Sequence, residues 1–90
     1  MTMPALHAAP EVIVAHLDGE AVLLHLGTKR YFRLNDTAAA IWRGVEEGAD
    51  APAIVGRLLR EFDVPPQEAE REVARVLTAL EDDALVSAAG

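Results

Sequence analysis

Cysteine is absent from the ninety residues, which excludes disulfides, thiolate metal ligands and a cysteine nucleophile, and leaves the redox compartment open. No Walker loop, Rossmann glycine fingerprint or nucleophile elbow occurs, so the usual scaffolds for phosphate cradling and acyl transfer are missing. The first residues carry no basic n-region, and Glu11, His16 and Asp18 interrupt every apolar run that could serve as a signal or a membrane span. A soluble, cytoplasmic protein is expected. Repeats and low-complexity segments are also absent. Bases are scarce in the second half: residues 1–45 hold four acids and four bases, residues 46–90 eleven acids and four bases, so the net charge of −7 lies entirely in the latter. A phosphate-tracking surface there is disfavoured, and no nucleic-acid partner is expected.

What remains is a chain with 51% hydrophobic and 26% charged residues, the composition of one small globular domain with a single core. Residues 1–10, with Pro4 and Pro10 among alanines, lack periodicity and read as a flexible arm; the domain is expected over 11–87, with a short tail over 88–90. Two apolar runs, Val12 to Leu17 and Glu20 to Leu26, flank Asp18-Gly19, the dipeptide suited to a two-residue hairpin turn. Gly27-Thr28 ends the second run and admits a third strand, Lys29 to Leu34. Asn35 or Asp36 then caps a helix from about Thr37 to Glu46, whose buried stripe is Ala38, Ile41, Trp42 and Val45. A second helix, capped by Asp50 with Pro52 in its first turn, buries Ile54 or Val55, Leu58, Leu59 and Phe62. Pro65-Pro66 precedes a third, with Ala69, Val73, Val76, Leu77, Leu80 and Ala84 on one face. Leu85-Val86 is a short apolar ending able to pack back or add a strand. The expected fold is α+β: a three-stranded antiparallel sheet followed by three helices, arranged like a winged helix-turn-helix with the sheet first.

A search for chemistry finds little. With the Asp18-Gly19 turn as a two-residue loop, His16 faces Ala21 and Val12 faces His25, so the two histidines share a sheet face but lie roughly 13 Å apart, too far to chelate one ion. His7 falls in the arm. Glu46/Glu47, Glu68/Glu72 and Asp82/Asp83 lie on solvent faces or helix ends, whereas acid-base catalysis needs two carboxyls in a cleft with divergent environments. Acid near the start of the third helix is explained by the helix dipole. No catalytic residue, metal site or cofactor is expected.

Two surface features stand out. Lys29, Arg30 and Arg33 make the third strand basic, and that strand is a sheet edge with unpaired backbone groups; Glu70, Glu72 and Glu81 make the flanks of the third helix acidic. A groove between them would have a polarised rim and an apolar floor, although a charged edge is also a common guard against aggregation. The second feature is the sheet face opposite the core. Ile13, Ala15, Leu17, Val22, Leu24 and Leu26 share one face, leaving Val12, Val14, Ala21 and Leu23 with the histidines on the other; an outer face this apolar asks for a cover, whether the arm, a second copy in a homodimer, or a partner protein.

Three segments, L-D-G-E-A-V-L-L-H-L, K-R-Y-F-R-L-N-D-T-A-A-A-I-W and L-T-A-L-E-D-D-A-L-V, in this order and spacing, resemble the PqqD-like peptide-recognition domains, the recognition elements of ribosomally synthesised and post-translationally modified peptide pathways. The resemblance covers about Glu11 to Ser87. It implies a domain that binds the leader segment of a precursor peptide as an added antiparallel strand between the third strand and the third helix, for a separate modifying enzyme. Carried onto this chain, Lys29, Arg30, Tyr31, Phe32 and Arg33 would form the docking strand, and Val73, Ala74 and Leu77, with Glu70 on the rim, the helical wall. Phe32 shares parity with Leu34 and is expected to face the core, leaving Tyr31 nearer the opening. The stand-alone length and the K-R-Y-F-R-L-N form look like the lasso-peptide members, which partner a leader peptidase and a cyclase; the alternative within the family is a carrier in pyrroloquinoline quinone or another modified-peptide pathway. The alternative of another class is a winged-helix DNA-binding regulator, which the acidic second half opposes.

Overall fold

The computed structural model describes residues 6–88. Its elements run β1 (Leu6–Ala8), β2 (Val12–Leu17), β3 (Glu20–His25), β4 (Arg30–Leu34), α1 (Asp36–Glu46), α2 (Ala51–Glu61), α3 (Pro66–Asp82) and β5 (Val86–Ala88). β2, β3 and β4 form the antiparallel meander expected from the sequence, in that order.

The β2–β3 register is the expected one, with Leu17 opposite Glu20, His16 opposite Ala21 and Val12 opposite His25. Asp18 at φ 43° and Gly19 at φ 85° supply the two left-handed residues that a tight hairpin matched to the strand twist requires. The next turn is longer. The His25 ring folds back so that Nδ1 accepts from the Gly27 N–H at 3.1 Å and the Thr28 N–H at 3.2 Å, and Lys29 takes a left-handed φ of 63°. The strands therefore stop at His25 and resume at Arg30, one residue inside the expected Leu26 and Lys29.

Which sheet face meets the helices corrects the sequence reading. Ala21, Leu23 and His25 are buried with Leu34, and Val12, Val14 and Phe32 are half-buried against the core, so the histidine-bearing face is the inner one. Ile13 (53% exposed), Leu17 (56%) and Leu26 (41%) stand on the outer face. Parity in the first two strands could not distinguish them, because both faces of that hairpin are apolar; β4 settles the choice, since its apolar Phe32 and Leu34 stand opposite Leu23 and Ala21 while Tyr31 and Arg33 lie on the other face.

A further difference lies at the ends. The segment read as a flexible arm holds β1, which pairs antiparallel with β5: Leu6 opposite Ala88, His7 opposite Ser87, Ala8 opposite Val86. Residues 1–5, also assigned to the arm, lie outside the described residues. Leu85–Val86 thus adds a strand, and both residues are buried.

The helices begin where their caps dictate. Asn35 Oδ1 accepts from the Ala38 N–H at 2.9 Å and the Thr37 hydroxyl at 3.1 Å, and Asp50 Oδ1 accepts from the Ala53 N–H at 3.0 Å. α3 starts on Pro66 without a side-chain cap, where the missing proline N–H loses nothing. Trp42, Leu23, Ile41, Ile54, Leu58 and Leu85 are the large side chains of the core. α1 crosses α2 closely at Gly44, where a Cβ would stand 2.7 Å from Ile54 Cγ1.

Candidate functional site

β4 is the outer strand of the meander, bonded only to β3. A two-residue hairpin closes on a hydrogen-bonded pair, Leu17 and Glu20, and the bonding direction then alternates along β3. Ala21, Leu23 and His25 consequently turn their backbone groups to β4, where they meet Leu34, Phe32 and Arg30. Tyr31 and Arg33 are left with N–H and C=O directed away from the sheet. Their side chains point to the outer face, which leaves Tyr31 73% exposed, while Phe32 and Leu34 point inward as expected.

Beside this open edge lies a groove of about 460 Å³. One wall is Tyr31, Phe32, Arg33 and Leu34; the other is Arg75, Val76, Ala79 and Leu80 of α3 with Asp83 at its C-cap; Ala38 and Leu85 close the floor. At one mouth the Arg30 guanidinium reaches across to Asp83 at 3.7 Å while lying 5.2 Å from the centre of the Phe32 ring, a cation over an aromatic face. Asp83 thus joins the end of α3 to the start of β4, so the helix and the strand run in opposite directions along the groove. On α3, Glu72 accepts a hydrogen bond from Arg75, and this bond holds the guanidinium above its ordinary pKa. The rim is basic on the strand as expected, but on the helix it carries Arg75 and Asp83 in place of the acidic flank expected from Glu70, Glu72 and Glu81.

The residues expected on the strand side, Arg30 to Arg33, are brought together at the groove, with Lys29 in the turn just before. Those expected on the helical wall are not. Val73 is buried in the core and Leu77 packs against it, while Glu70 and Ala74 are exposed. At about 100° per residue, Glu70, Ala74, Leu77 and Glu81 fall on the flank of α3 opposite Glu72, Ala79 and Asp83. The sequence reading missed Arg75, Val76, Ala79 and Asp83. Their signal was the stripe Glu68, Glu72, Arg75, Ala79, Asp83 at helical spacing, with a small residue where a second chain could approach. The histidines do not converge: His25 is occupied with the turn amides, and His16 lies 3.9 Å from Glu46.

The profile of the family described as coenzyme PQQ synthesis protein D (PqqD) matches residues 20–86. The chain belongs to the PqqD family. Its fold is similar to that of TbiB1, solved in complex with the TbiA(beta) leader peptide: the TM-score is 0.85 at 34% identity, covering 93% of this chain and 98% of that one. It is also similar to a lasso peptide synthetase B1 complexed with its leader peptide, with a TM-score of 0.82 at 31% identity, covering 92% and 98%. No curated protein sequence matches the chain. Both similar structures hold a leader peptide and one is a lasso peptide synthetase B1, in agreement with the family and the type to which the sequence resemblance pointed. Among the described residues no helix is long and apolar enough to cross a membrane.

Proposed function

We propose that this PqqD-like protein binds the leader segment of a ribosomally made precursor peptide as an antiparallel strand added to β4, in the groove against α3, and delivers it to a separate leader peptidase and cyclase in lasso peptide biosynthesis. One observation carries the reading: the outward backbone groups of Tyr31 and Arg33 border a groove whose two walls carry the apolar side chains of Phe32, Leu34, Val76, Ala79 and Leu80. Strand addition supplies main-chain hydrogen bonds, and the apolar floor selects side chains. The leader complexes of the two similar proteins support the same reading. The protein's own part is recognition, without bond making or breaking.

The test is fluorescence polarisation with labelled leader segments of lasso precursor peptides, the TbiA(beta) leader among them, against a scrambled peptide and duplex DNA. Selective leader binding is expected. Tight duplex binding that weakens steeply with salt would favour the winged-helix regulator instead. A shortened precursor in mass spectra after incubation with pure protein would overturn the non-catalytic role.

A further inference from the structure

Among the described residues His25 is the only buried polar or charged one, 6% exposed, and it does not border the leader groove. It ends β3 and stands opposite Arg30, the first residue of β4. Its Nδ1 accepts from the N–H groups of Gly27 and Thr28, at 3.1 and 3.2 Å, and its carbonyl accepts from the Lys29 N–H at 2.8 Å. Three of the four N–H groups in the loop between the strands thus end on this one residue; the fourth, of Leu26, donates to the Glu11 carbonyl at 2.8 Å. The loop needs such a holder, because Lys29 sits at φ 63°, a left-handed conformation uncommon outside glycine, asparagine and aspartate. β4 starts with the next residue. Where it starts decides which backbone groups face the leader, since one residue of slip would exchange Tyr31 with Phe32.

We infer that His25 is a positioning residue for leader binding: its neutral imidazole fixes the loop that presents Tyr31 and Arg33 to the leader, and gaining a proton releases that loop. The inference rests on the leader-binding reading above. A neutral imidazole has one nitrogen able to accept, and here it is Nδ1, so the ring proton is on Nε2. A second proton can go only to Nδ1, which then becomes a donor aimed at two N–H groups. Both loop bonds are lost. Histidine is the side chain whose charge changes between about pH 5 and 8, so the loop is held at neutral pH and loosens in mild acid. The charged groups around the ring are Glu11, Lys29 and Arg30, the last paired with Asp83. A Cβ on Gly27 would stand 2.8 Å from Glu11 Oε2 and 3.0 Å from His25 Cε1. Carboxylate and ring therefore lie against the same backbone position, and Glu11 offers the charged ring a new partner. The ring has two arrangements, and only the neutral one builds the docking strand.

The experiment uses the lasso leader segment bound best in the polarisation assay. Calorimetric affinities of wild type, His25→Asn and His25→Phe are compared at about pH 7.5 and about pH 5.5, with each fold verified by circular dichroism and amide protection factors measured at Gly27 and Thr28. Wild type is expected to lose affinity at least about tenfold at the lower pH, with Gly27 and Thr28 losing protection while the core amides keep theirs. His25→Asn retains an acceptor for the amides two and three residues on, without a titrating ring, and should hold its affinity at both pH values. His25→Phe keeps the bulk of the ring and lacks the acceptor, so it should bind weakly at both. A merely structural histidine would make affinity follow the folded fraction, which circular dichroism reads separately. The inference is overturned if both variants share the pH dependence of wild type, or if Gly27 and Thr28 stay protected in acid while affinity falls. If no leader segment binds wild type at either pH, the leader-binding reading itself fails.

Discussion

Leu23 stands directly across from Phe32 in the β3–β4 ladder. Leu23 is fully buried, and partners across a sheet share a face, so the pair directs Phe32 to the helices and leaves the backbone groups of Tyr31 and Arg33 open to a ligand.

Leader binding should therefore slow amide exchange at Tyr31 and Arg33, with little change along β2, the opposite edge. Hydrogen exchange read by nuclear magnetic resonance, with and without leader, checks this. Protection along β2 instead would move the ligand to the other edge.

Ala79→Arg should obstruct the groove and reduce leader affinity at least about tenfold, equivalent to some 1.4 kcal/mol, with the fold retained because Ala79 is exposed. Ala74→Arg places the same charge on the far flank of α3 and should leave affinity unchanged. Titration of both variants beside wild type distinguishes the flanks.

Gly44→Ala should destabilise the protein by about 1–3 kcal/mol. The added Cβ would meet Ile54 at 2.7 Å, and Ile54 is itself buried, so neither helix can yield easily. Urea unfolding measures the loss, and Ile54→Ala, which removes the Cγ1 that the new methyl meets, should cost less stability in the Gly44→Ala background than in wild type.

Asn35→Ala removes the acceptor for the Ala38 N–H and the Thr37 hydroxyl and should cost about 1 kcal/mol. Asn35→Asp keeps an acceptor and should restore stability in the same denaturation assay.

Arg57 donates a hydrogen bond to Glu47 and holds its carboxyl below the ordinary carboxylate range. A lowered native pKa stabilises the fold above the unfolded pKa, and that contribution is lost as pH falls through the native value. The difference in melting temperature between wild type and Glu47→Gln should therefore be present at neutral pH and shrink as the solution is acidified below about pH 4. It should also shrink with salt, since Glu47 is exposed.

The meander and its register were legible because Asp18-Gly19 admits few turn geometries and fixes the pairing of every residue in β2 and β3. The caps at Asn35 and Asp50 were legible for a similar local reason. The rotation of α3 was not. Its core stripe has glutamate and alanine on both sides, so the sequence put Ala74 at the groove whereas the position of β4 brings Ala79 there. β1 escaped notice because three residues carry no period, and its partner β5 lies at the other end of the chain. The inner face of the sheet was hidden by two apolar faces, one of which stays open at Ile13 and Leu17.

The pairing of Leu6–Ala8 with Val86–Ala88 also orders events during synthesis. Hairpins and helix pairs join sequence neighbours and can form while the chain is still leaving the ribosome, whereas this clasp awaits the last strand and closes the longest loop in the molecule. Leu85, which borders the groove, is buried next to that strand. A nascent chain would hold its sheet and helices before it could hold a leader, so the capacity to read a precursor waits for β5 to reach β1.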